Sequence, residues 1–130
     1  MSEAVLSSYI LFMTLPPKNH LEVANLSGVN LSQANLSGVN LSGVNLSGAN
    51  ISSSVIIEPQ NYELMILTKK TNFEDAISDK IDFIYQVSKF TENIPNIVND
   101  KKELKIKLDK MLVNERTLED ILKLSNLPDE

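Results

Sequence analysis

An apolar pair recurs every five residues from position 24 to position 51 without a gap, and no ordinary helix or strand accommodates that period. The units read VANLS, GVNLS, QANLS, GVNLS, GVNLS and GANIS. One apolar position is Leu26, Leu31, Leu36, Leu41, Leu46 and Ile51; the other, two residues earlier, is Ala24, Val29, Ala34, Val39, Val44 and Ala49. An asparagine separates the two in every unit, and a serine follows each centre. On a helix successive centres would rotate by about 140°, and on a strand they would alternate between faces, so neither buries the whole set. A chain that turns one corner per unit buries both positions and leaves Asn, Ser and Gly for corners and surface, where tight or left-handed backbone is tolerated.

These residues resemble the pentapeptide-repeat family, whose pattern is Ala, then Asp or Asn, then Leu, then two variable positions. The resemblance implies a short right-handed quadrilateral β-helix with four repeats per coil and the centre residues stacked inside. Val29, Val39 and Val44 are larger than the alanine favoured by the family. With Leu21 and Ile56 as degenerate centres the segment makes about one and a half to two coils, too few to leave both ends open, because solenoid repeats are stabilised by their neighbours.

The fold class that follows is mixed β and α. Residues 1–18 form an N-terminal capping segment, 19–57 the solenoid and 58–130 a mainly helical region. Charge supports the second boundary. No charged residue lies between Glu22 and Glu58, whereas 26 fall in the last 73 positions. The apolar stretch from Ala4 to Leu15 follows Glu3, lacks a basic flank and is too short to span a bilayer, so it reads as a cap and not as a targeting segment.

Beyond the repeat, Tyr62–Leu67 is a short apolar run suited to packing on the last coil. Thr71 and Glu74 have the spacing of a helix capping box, and Phe73, Ile77, Ile81, Ile84 and Ser88 would share one helical face. Asp75, Asp79 and Asp82 would share the opposite one, which reads as a solvated face since an open helix side offers too few oxygens for calcium. Pro95 interrupts the region. Asp100 and Glu103 mark another helix start, and Leu104, Leu108, Met111, Leu118 and Leu122 form an apolar stripe that either covers the solenoid or offers a partner or self-association surface. Asn114 divides that stripe into two helices.

Catalytic equipment is missing from the sequence. There is no cysteine, and the single histidine, His20, has no second ligand or nucleophile nearby in sequence. No phosphate-binding glycine loop and no metal-ligand spacing occur, and the serines are explained by the repeat register. The chain therefore reads as non-catalytic, without cofactor or metal, and its cysteine content fits a reducing, cytoplasmic setting.

A net charge of −5 without a basic cluster disfavours direct nucleic-acid binding. The leading expectation is a protein–protein interaction or scaffold module with an unknown protein partner, self-assembling through the solenoid ends or C-terminal helices into a homo-oligomer. Some long members of the resembled family mimic duplex DNA and inhibit or protect DNA gyrase, which makes topoisomerase mimicry one alternative. Here the uncharged and short repeat departs from that pattern. Another alternative is a surface-recognition array of regularly spaced Ser and Asn.

Overall fold

The computed structural model describes residues 25–111 and 113–129; Ala24, His20, Leu21 and the expected capping segment 1–18 lie outside them. From Asn25 the chain turns once per unit. The Val29 N–H donates to the Leu26 carbonyl at 3.1 Å, and the same four-residue turn recurs at Leu31–Ala34, Leu36–Val39, Leu41–Val44 and Leu46–Ala49. The third residue of each turn is Gly28, Gln33, Gly38, Gly43 or Gly48, with φ between 62° and 74°. A type II turn requires that left-handed backbone at its third position, which is why glycine dominates there.

Four such turns bring the chain back alongside itself. Asn25 bridges Asn45, Asn30 bridges Asn50, Asn35 bridges Val55 and Asn40 bridges Gln60, all in parallel. The Leu26 N–H donates to the Asn45 carbonyl at 2.8 Å, and Leu31 and Leu36 donate likewise to Asn50 at 2.7 Å and Val55 at 2.8 Å. Each circuit thus satisfies the backbone of the one before it and stacks leucine on leucine inside. Leu26, Leu31, Leu36, Leu41, Leu46 and Ile51 are buried, as are Ala34, Val39, Val44 and Ala49; Val29 is half-buried.

The sequence period ends at residue 57, but the ladder does not. Asn45 also bridges Ile66, and Asn50 bridges Asn72. Strand β1 (Val55–Ile56) pairs with β2 (Ile77–Ser78), which pairs with β3 (Asn96–Ile97), forming a three-stranded parallel sheet. The parallel ladder therefore continues past residue 57 into the region expected to be mainly helical. A 3-10 turn at Tyr62–Leu64 takes up an extra residue on one side, while Met65 and Leu67 enter the interior.

No helix starts at Thr71. Residues 72–76, Asn-Phe-Glu-Asp-Ala, make a further five-residue unit with Phe73 as its centre. The Asn72 side chain accepts the Glu74 N–H at 2.9 Å, Ala76 N–H donates to the Phe73 carbonyl at 2.9 Å, and Asp75 carries the positive φ of 64°. Thr71 occupies the small inward position; its buried hydroxyl donates to the Leu46 carbonyl at 2.8 Å. The capping-box reading fails because this turn chemistry uses the same residues. Helix α1 runs Ile81–Ser88, with Phe83, Ile84 and Val87 as its buried side, not the face expected from Ile81 and Ser88. Consequently Asp75, Asp79 and Asp82 share no helical face: one sits in a turn, one follows β2 and one opens α1.

Two apolar cores result. The first fills the coil and extends to Phe83, Ile84 and Val87, so α1 packs onto the interior where the last circuit ends. The Phe83 ring stands edge-on to Tyr62 and Phe73, with centroids 5.4 and 5.9 Å away. The second core lies outside the sheet, between Val55, Ile57, Ile77 and Val98 on one side and helices α2 (Lys101–Lys110) and α3 (Glu115–Leu124) on the other. Both helices start where the sequence places them. The Asp100 side chain accepts the Glu103 N–H at 2.7 Å, and that of Asn114 accepts the Thr117 N–H at 2.9 Å, the standard way to satisfy a first-turn donor.

Candidate interaction surface

The repeat asparagines are turn-stabilising groups before they are surface. Asn25 Oδ1 accepts from the Ser27 N–H at 3.1 Å and from its hydroxyl at 2.8 Å, and Asn45 does the same with Ser47 at 3.0 and 2.6 Å. Asn30, Asn35, Asn40 and Asn50 each accept the N–H of the serine two residues on, at 3.0–3.1 Å. An amide that mimics a backbone turn in this way explains why asparagine and not serine fills the position. The sequence identified the corner but not this bond.

Outward residues stack into sides with rungs about 4.8 Å apart. Asn25 and Ser27 lie over Asn45 and Ser47 on one side; Asn30 and Ser32 lie over Asn50 and Ser52 on the next. All eight are exposed or half-exposed, and no charge interrupts these two circuits. A third side is different. Asn35 and Ser37 are only 9% and 8% exposed, and below them the polar positions become Val55 and Ile57, which face α2 and α3. At Gly38 this cover is close enough that an added Cβ would stand 3.3 Å from a Leu124 methyl.

The leucine stripe is therefore not an open docking face. Leu104, Leu108 and Leu118 are buried against the third side, with Met111 and Leu122 partly buried around them. Ile121, missing from the expected stripe, is more buried than Leu122. An outward apolar pair flanking an inward Ile56 was the available signal that this side would be covered, since a strand apolar on both faces separates two cores.

The only notable ionic constellation among the described residues is small. Asp79 accepts the Glu58 N–H at 2.9 Å, and Lys80 Nζ stands 3.1 Å from Glu58 Oε2. That oxygen is shut from water without an aligned hydrogen bond, so the contact with Lys80 is Coulombic more than directional. Burial, with the adjacent Glu58 carboxylate, pushes the Asp79 carboxyl above its ordinary range. The close contact with the Glu58 side chain raises Lys80, and burial with the charges of Asp82 and Glu63 raises Tyr62. Among the described residues no group of His, Cys, Asp and Glu is arranged to hold a metal ion. An open groove of 330 Å³ beside Lys69, Ser88, Phe90 and Asn93 has its hydroxyls committed to backbone: Ser88 Oγ donates to the Tyr85 carbonyl at 2.6 Å and Thr91 Oγ1 to that of Lys69 at 3.2 Å.

Residues 24–54 match the family model of pentapeptide repeats, in 8 copies. The chain thus carries a pentapeptide-repeat segment, and the parallel bridges at one-circuit spacing are the β-helix-like arrangement that such repeats imply. No curated protein and no solved structure matches the chain. No helix among the described residues is long and apolar enough to cross a membrane.

Proposed function

We propose that the protein is a non-catalytic interaction module, a right-handed four-sided solenoid whose Asn25–Asn45 and Asn30–Asn50 sides dock a protein partner. The observation that carries this reading is the asymmetry between sides. One is buried under α2 and α3 and has exchanged Asn and Ser for Val55 and Ile57, while the sides of Asn25–Asn45 and Asn30–Asn50 keep the polar repeat and remain exposed. Their side chains are short and braced by turn hydrogen bonds, so little conformational entropy is lost when a complementary surface is laid on them. The leucines, helices and sheet then serve as a rigid support. Topoisomerase inhibition by mimicry of duplex DNA is disfavoured because electrostatic complementarity would require acidic sides, and the first two circuits of these sides carry no charge.

The test is capture of complexes from a native extract with three baits: the wild type, S32K/S52K on an exposed side, and Leu36→Lys, which buries an unpaired charge and unfolds the coil. A stoichiometric partner held by the wild type and lost from both variants supports the reading. Undiminished capture by folded S32K/S52K, or by unfolded Leu36→Lys, overturns it.

A further inference from the structure

Helix α1 has a solvent side that the described residues of its own protomer leave uncovered. Phe83, Ile84 and Val87 face the coil, which turns Asp82, Tyr85 and Lys89 to the opposite side with Ile81 at its margin. Tyr85 is 65% exposed and Ile81 62%, large values for an aromatic and a β-branched residue on a helix anchored by a buried phenylalanine. Phe90, just past the helix, and Leu64, on the 3-10 turn packed against α1, are exposed as well.

We propose that this face pairs with the same face of a second copy, the two α1 helices lying antiparallel about a two-fold axis. The charges on the helix select that occupant. In an antiparallel pair centred between Tyr85 and Gln86, Asp82 of each copy meets Lys89 of the other, and Ile81 meets Phe90, so both ends of the contact are complementary at once. A parallel arrangement sets Asp82 against Asp82 and Lys89 against Lys89, and like charges reject it. Tyr85 lies near the axis. The Lys89 ammonium already stands 5.1 Å from its ring centroid, which places the cation along the seam. A two-turn helix with a few flanking residues covers less than a standard interface, so the dimer is weak and exchanges with monomer in solution. The inference stands independently of the partner that the docking sides bind.

Sedimentation equilibrium of the full chain from about 1 µM to about 1 mM tests it. The wild type is expected to pass from monomer to dimer across that range. Asp82→Lys alone and Lys89→Asp alone each place two like-charge contacts at the seam and should weaken association at least ~10-fold. The double exchange D82K/K89D restores opposite charges and should recover the dimer. Both positions are exposed, and melting curves establish that every variant is folded. A strictly monomeric wild type overturns the proposal, as does a dimer unaffected by the single reversals or not recovered by the double exchange.

Discussion

Ile56 and Ile57 are chain neighbours whose side chains enter different cores, and truncating each in turn separates the two layers. Ile57 is wholly buried in the core beneath α2 and α3, whereas Ile56 belongs to the interior of the coil. Ile→Ala removes three carbons, about 2.4 kcal/mol at ~0.8 kcal/mol per buried methylene. With a partly relaxed cavity the cost becomes about 3 kcal/mol. In Ile57→Ala that loss falls on the contact between sheet and helices, a unit able to open while the coil persists. Amide exchange is the assay. Protection in α2 and α3 should fall by about 100-fold, since ~1.4 kcal/mol is tenfold, while the amides of Leu26, Leu31 and Leu46 change much less. Ile56→Ala should reverse the pattern and loosen coil and α1 together. Equal loss throughout the chain in both variants would refute two separable cores, and so would a cost below about 1 kcal/mol for Ile57→Ala.

Three further outcomes follow from the geometry. Asp79→Asn keeps an acceptor for the Glu58 N–H and removes a carboxylate that folding raises in pKa; such a group stabilises most below its unfolded pKa and loses that contribution as pH climbs through the folded value. Thermal melts should show the variant above wild type at pH 7 and level with it near pH 3; an unchanged or lower melting temperature at pH 7 contradicts this. Gly38→Ala should cost more than Gly28→Ala in urea titrations: both have left-handed φ, a penalty of about 1–2 kcal/mol for alanine, but only Gly38 also faces Leu124 at 3.3 Å. Asn45→Ala loses the acceptor for two donors of Ser47 and should cost about 1–2 kcal/mol, while Asn45→Asp retains it and should melt near wild type.

The repeat determined most of its own structure. A five-residue period with two apolar positions permits one geometry that buries them all, so the inward residues and the corners were legible before any coordinates. The starts of α2 and α3 were legible for a similarly local reason, because Asp100 and Asn114 satisfy first-turn donors from their own side chains. Tertiary structure decided the rest. Ile66, Asn72, Ile77 and Asn96 join the ladder through backbone groups that every residue carries, so the coil continues where the motif has decayed. Only 72–76 preserve the unit, and Phe73 in place of leucine, with two acids after it, imitates a helix start. Likewise, the stripe of Leu104, Leu108 and Leu118 announced an apolar face without naming its occupant. That occupant is the outer side of a sheet assembled from residues 55–57, 77 and 98, far apart in sequence and brought together only when parallel circuits stack.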